Sequence, residues 1–185
     1  MYKRQLLGAA TASADDFIGF YAGGGIGSSS IDDEAFIDDS DTGFKAFVGY
    51  SLGEFVAVEL AYMDGGTVEG TRNFPGGFSF AAEADPRIIN ASVVGNLPLT
   101  DQFALIGRLG YASIDLDGKL TFNDPDFGAF DVSGDSGSEE EISYGAGAVY
   151  TIGETFQLRA EYEGFDVPNG TMSFFSVSAL FRFRL

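Results

Sequence analysis

The chain has 185 residues, a length that suits one domain, and it is 45% hydrophobic and 15% aromatic, which excludes a disordered acidic polymer. It has no Cys and no His, so disulfides, thiolate chemistry and the commonest general base and metal ligand are all absent. A formal net charge of −18 opposes any phosphate backbone, so nucleic acid is excluded as a partner.

The N-terminus, MYKRQLLGAATASADD, sets Lys3 and Arg4 before a short apolar stretch and Ala12-Ser13-Ala14 before Asp15. That is the pattern of an export leader with its cleavage site, so residues 1–14 are expected to be a signal-peptide remnant and 15–185 a single domain. No run approaches the roughly 18 apolar residues of a membrane helix. The exported chain therefore either stays soluble or enters a membrane as strands.

Eight segments alternate bulky apolar residues with small or charged ones, the period of a β-strand whose side chains turn over at every second residue. The first is predicted over Phe17–Ser28, with Phe20, Ala22, Gly24 and Ile26 on one side. The second, 44–52, sets Phe44, Ala46, Val48, Tyr50 and Leu52 against Lys45, Phe47, Gly49 and Ser51. After Gly53-Glu54 the third, 55–62, sets Val56, Val58, Leu60 and Tyr62 against Ala57, Glu59 and Ala61. The fourth, Arg87–Leu97, opposes Ile89, Ala91, Val93 and Leu97 to Asn90, Ser92 and Asn96. The fifth, Phe103–Ile114, opposes Phe103, Leu105, Leu109 and Tyr111 to Ala104, Arg108 and Ala112. The sixth, Ile142–Ile152, carries Tyr144, Ala146, Ala148 and Tyr150 opposite Ser143, Gly145, Gly147 and Thr151. The seventh, Phe156–Phe165, carries Phe156, Leu158, Ala160 and Tyr162 opposite Gln157, Arg159, Glu161 and Glu163. The eighth runs from Met172 to the end, with Phe175, Val177, Ala179, Phe181, Phe183 and Leu185 opposite Ser176, Ser178, Arg182 and Arg184.

Short turns follow the second, fourth and sixth strands, and longer connections follow the first, third and fifth, as in an up-and-down meander. Asp117-Gly118 between Ile114, Leu116, Leu120 and Phe122 is a hairpin signal; it reads either as a ribbon protruding above the fifth and sixth strands or as a bend. Acidic residues cluster at Asp32–Asp41 and Asp124–Glu141, both expected between strands. Solvated loops and loose divalent-cation binding near an anionic lipid surface are the two readings, and neither cluster has EF-hand spacing. No metal or cofactor site is expected.

Which face is outside decides function. A soluble lipocalin-like barrel with an apolar interior is one solution. The apolar face carries roughly thirty large side chains, however, and roughly a dozen fill an eight-stranded interior in the parallel case. The other face is Gly, Ala and Ser with charges of both signs, and suits a narrow polar lumen. Its charged members are Lys45, Glu59, Arg108, Arg159, Glu161, Glu163 and Arg182. Unpaired, each would lose several kcal/mol of solvation in a dry interior, so opposite-sign neighbours are expected. Tyr62, Tyr111, Tyr144 and Tyr162 fall at the long-loop ends of their strands. Tyr50, Phe103, Tyr150, Phe156 and Phe183 fall near the opposite ends, as two interfacial belts would require. The predicted fold is an all-β, eight-stranded antiparallel up-and-down transmembrane barrel, whose closure satisfies every backbone group in lipid.

The pieces FYAGGGIG at 20–27, VELAY at 58–62, RLGY at 108–111 and LRAEY at 158–162, with the end FSVSALFRFRL, resemble the small outer-membrane β-barrel family typified by the OmpA transmembrane domain. The resemblance covers about Asp15 to Leu185 and implies lumen-facing roles for Glu59, Arg159 and Glu161. It also implies a C-terminal strand read by the outer-membrane insertion machinery, though Leu185 stands where the family usually ends in Phe. No peptidoglycan-binding domain follows, so no cell-wall anchoring is implied. The expected function is a non-catalytic protein of a Gram-negative outer membrane, monomeric, embedded in its lipid, with acidic external loops and a largely plugged lumen. A lipid-modifying barrel enzyme is the other membrane reading, and such families rely on a His that this chain lacks.

Overall fold

A computed structural model of the chain describes residues 17–32, 41–73, 79–124, 128–167 and 170–184. These form nine strands and no helix: β1 Ile18–Asp32, β2 Asp41–Leu52, β3 Val56–Asp64, β4 Val68–Asn73, β5 Ser79–Pro98, β6 Phe103–Asp124, β7 Gly128–Ile152, β8 Phe156–Val167 and β9 Gly170–Arg184. Consecutive strands pair antiparallel except β3 and β4, and β1 also pairs with β9 and β3 with β5. The result is a closed eight-stranded barrel, with β4 attached only to an extension of β5.

The stagger of the barrel follows from the register. Starting at Phe20, the paired residues run through Tyr50, Val58, Val93, Leu109, Tyr144, Gly164 and Ser173 and return to β1 at Ser30, ten residues beyond the start. In an eight-stranded barrel such a stagger goes with strands inclined at roughly 40° to the axis. At this size the interior is only as wide as the side chains that fill it.

The alternation decides inside from outside, and the outside is apolar. Phe44, Leu60, Leu105 and Phe181 are 48%, 52%, 41% and 54% exposed, whereas Arg159 and Glu161 are 5% and 2% exposed. That inverts a water-soluble barrel and rules out the lipocalin-like arrangement. Tyr62, Tyr111, Tyr144 and Tyr162 are exposed at the long-loop end of the wall. At the short-turn end the Phe20 and Tyr50 rings meet at 4.8 Å, and those of Phe156 and Phe181 at 5.1 Å. Gly153, at φ +67°, supplies the left-handed residue of the turn between β7 and β8.

Two expectations are corrected at the long-loop end. Asp117-Gly118 is neither a hairpin turn nor a bend: both residues pair in mid-strand, with Asp85 and Ala84 of β5 and with Asp135 and Gly134 of β7. Partners on both sides outweigh the local turn preference. The acidic stretch from Asp124 to Glu141, expected as a loop, is mostly the first half of β7. The pairing of β3 with β5 ends at Asp64 and Arg87, and that of β8 with β7 at Phe165 and Ser143. Beyond those points β4, β5, β6 and β7 continue as a four-stranded ribbon. The register slips at Ile114/Leu116, where β7 carries one extra residue as the ribbon leaves the barrel. Most of the other acidic cluster, at 33–40, and the leader at 1–14 lie outside the described residues.

Candidate functional site

The lumen is the place where chemistry-bearing side chains converge. Lys45 comes from β2, Glu59 from β3, Arg108 from β6, and Arg159, Glu161 and Glu163 from successive inward positions of β8. Lys45 Nζ donates to Glu161 at 2.9 Å and to Glu163 at 2.5 Å. Arg108 reaches three carboxylates, donating to Glu59 at 2.6 Å and to Glu161 and Glu163 at 2.7 Å each. Arg159 donates to Glu59 at 2.7 Å and lies 3.7 Å from Glu161. The Tyr21 hydroxyl completes the shell of Glu59 at 2.9 Å. Three cations face three carboxylates, so the band is electrically balanced and every charge has a partner.

Register explains why these long side chains meet. Arg108 of β6 and Glu163 of β8 both pair across to Gly145 of β7. With no side chain between them, they bridge over the strand. A Cβ at Gly145 would lie 3.0 Å from Cγ of Arg108 and 3.1 Å from Cγ of Glu163. Likewise Lys45 registers with Gly25, Gly25 with Ser178, and Ser178 with Arg159, so a floor of small residues separates the two cations. The Gly and Ser positions on the inner wall are therefore the room in which the charges lie.

Apolar layers bracket the band. Toward the long loops, Met63, Ile88, Ile114, Phe165, Met172 and Phe174 are each no more than 2% exposed. Met63, Ile88 and Ile114 occupy one register row. Toward the short turns, Val94, Ile106, Val149 and Leu180 are buried, and Phe47 packs beneath the Arg159 guanidinium at 4.7 Å. Strand parity puts Phe47 on the inner face, whereas the sequence pattern as a whole points to a polar lumen. Period-2 alternation gives the side a residue faces but not its height along the barrel, so it does not reveal the layers. Tyr21 has the inward parity between Phe20 and Ala22, and that parity is the sequence signal for its place beside Glu59.

Arg182 is not part of the band. It lies near the short-turn mouth, over the Phe17 ring at 5.0 Å, with the Gln157 side-chain amide 3.2 Å from its Nε. A cavity of about 150 Å³ opens there, with Arg182 and Arg159 among its walls. Within the band, Nε of Arg108 and Arg159 and the hydroxyls of Ser176 and Ser178 have no protein partner.

Chemically, a neutral cluster of this kind ties together the strands that carry it. Nothing matches among curated protein sequences. Among solved structures, Pseudomonas aeruginosa OprG is similar at a TM-score of 0.60 and 13% identity, over 92% of this chain and 98% of that one. The Yersinia pestis attachment invasion locus protein Ail, in complex with the heparin analogue sucrose octasulfate, has a TM-score of 0.58 and 19% identity, over 90% and 100%. Neisserial surface protein A has a TM-score of 0.56 and 13% identity, over 89% and 97%. At these identities the likeness is one of fold. Residues 6–183 match the family described as outer membrane protein beta-barrel domain, and the chain belongs to that family, a barrel of the Gram-negative outer membrane.

Proposed function

We propose that the protein is a non-catalytic component of the outer membrane that contributes to envelope structure, with a plugged lumen and an acidic ribbon presented outside the cell. The observation that carries this reading is the balanced six-charge band between two apolar layers, because it fills the bore that a channel would need. Removing one partner from such a band would strand a buried charge, so the band favours one closed arrangement. The absence of His in the sequence argues against the lipid-modifying chemistry of other small barrels. Its working partners are then the surrounding lipid and, during assembly, the insertion machinery reading the C-terminal strand, with the barrel acting as a monomer.

The heparin analogue seen with Ail is a polyanion. A chain of net charge −18 repels such a ligand, so the likeness in fold does not extend to that ligand here. Two measurements on purified, refolded protein test the reading. Planar bilayers should show no steps above the lipid leak, and a phospholipid-hydrolysis assay should show no turnover. Sustained single-channel openings or reproducible hydrolysis would overturn it.

A further inference from the structure

The ribbon carries an aromatic row that the barrel does not use. Phe80 of β5, Phe122 of β6 and Phe130 of β7 are register partners across three adjacent strands. The Phe80 and Phe122 rings are in contact, with centroids 5.2 Å apart, and Phe130 is 54% exposed. Phe80 and Phe122 have the strand parity of the lumen-lining Ile88 and Ile114, so the row belongs to the side of the ribbon that continues the inner wall. It is also far from lipid. Phe122 lies eleven residues beyond the belt residue Tyr111 on the same strand, roughly 35 Å of chain at 3.2–3.4 Å per residue. Hydrocarbon therefore does not explain the exposure of Phe130 there.

The surrounding charge identifies what would sit on them. The ribbon portions of its strands, residues 68–73, 79–87, 115–124 and 128–141, hold eleven Asp or Glu and three Lys or Arg. Apolar rings in a strongly negative field suit a ligand with the opposite sign and its own apolar side chains. We propose that this face of the ribbon docks a cationic amphipathic polypeptide segment, with its apolar residues on Phe80, Phe122 and Phe130 and its Lys or Arg residues held by the acidic field. Aromatic anchors supply the affinity and the carboxylates supply attraction and selection of sign.

The inference rests on the reading that the ribbon stands outside the cell, and two experiments separate the claims. Protein in nanodiscs of zwitterionic phosphatidylcholine is titrated with three fluorescent twelve-residue peptides: alternating Lys-Leu, alternating Glu-Leu, and alternating Lys-Ser. Empty nanodiscs give the background. The Lys-Leu peptide should bind above that background, the other two at least tenfold more weakly. Raising salt from about 50 to about 300 mM should weaken it by screening. Phe130→Ser alone, and Phe122→Ser with Phe130→Ser, should each weaken it about tenfold or more, the scale of losing a buried Phe contact. Both variants should keep the heat-dependent gel shift of the folded barrel. Equal binding of the Glu-Leu peptide, or affinity indifferent to the Phe variants, overturns the proposal. So does a Phe130-dependent dimer, since a second copy would then be the occupant. Nanodiscs leave both ends of the barrel open, so failure to bind sinks the docking claim alone. A ribbon in intact cells that added protease cannot reach sinks the outward orientation alone.

Discussion

Arg108 touches all three carboxylates of the lumen band, and no other cation there does so at hydrogen-bond distance. Arg108→Met leaves an uncompensated negative charge among Glu59, Glu161 and Glu163. The expected loss is about 3–5 kcal/mol, the cost of breaking a buried pair from one side. Lys45→Met combined with Glu163→Gln removes one charge of each sign and should cost much less than either change alone, because the remainder stays balanced. Urea unfolding followed by far-ultraviolet circular dichroism in detergent checks both, and additive losses in the double variant would contradict the coupling. Gly145→Val should fail to fold, since its side chain would enter the space where Arg108 and Glu163 meet; loss of the heat-dependent gel shift reads this directly. At this scale sequence parity alone brings out Lys45, Glu59, Arg108, Arg159, Glu161 and Glu163, because a charge opposite a run of large apolar residues has one face left to occupy. Which acid meets which base was not legible. That depends on register across strands far apart in sequence, such as Lys45 with Glu161. Arg182 shows the limit of parity: it shares the inner side, but its position along the axis puts it at the mouth with Phe17 and Gln157.

Among elements, the barrel strands and the ribbon obey different rules. In the barrel, one face meets lipid and the other a crowded lumen, so alternation is strong and the strands were readable to within a few residues. In the ribbon the pattern is diluted by Gly, Ser and acids, so β4 and the first half of β7 were missed. Of the two readings of Asp117-Gly118, the protruding ribbon is present and the bend is not; the dipeptide lies in mid-ribbon and not at a turn, because local preference is the strongest signal the sequence offers there. The ribbon also lies beyond the residues that close the barrel, at Asp64 with Arg87 and Ser143 with Phe165. Replacing 68–84 and 116–138 by short Gly-Ser-Asn turns should therefore leave the barrel able to fold. The shortened protein should keep its heat-dependent gel shift and lose no more than about 1–2 kcal/mol of stability, since long surface insertions contribute little to closing a core. Failure of that protein to refold would show that the ribbon organises the barrel.

For the whole molecule, the driving force differs from that of a soluble barrel. The wall is apolar because hydrocarbon is its solvent, and the interior carries a neutral charge band between two apolar layers. The strand count of the barrel and its sidedness are both visible in composition and period, although β4 is not. The layering of the lumen is not visible there, because it depends on how Met63, Phe165, Met172 and Phe174 line up across strands far apart in sequence. The chain contains no Trp, so a single introduced indole reports its own surroundings without background. Leu60→Trp, Leu105→Trp, Phe181→Trp and Phe47→Trp, each refolded into bilayers of phosphatidylcholine brominated along its acyl chains, compare wall with lumen. The first three should be strongly quenched, and Phe47→Trp should be nearly unaffected. Quenching of Phe47→Trp with bright indoles at 60, 105 and 181 would contradict a lipid-facing apolar wall around a charged interior.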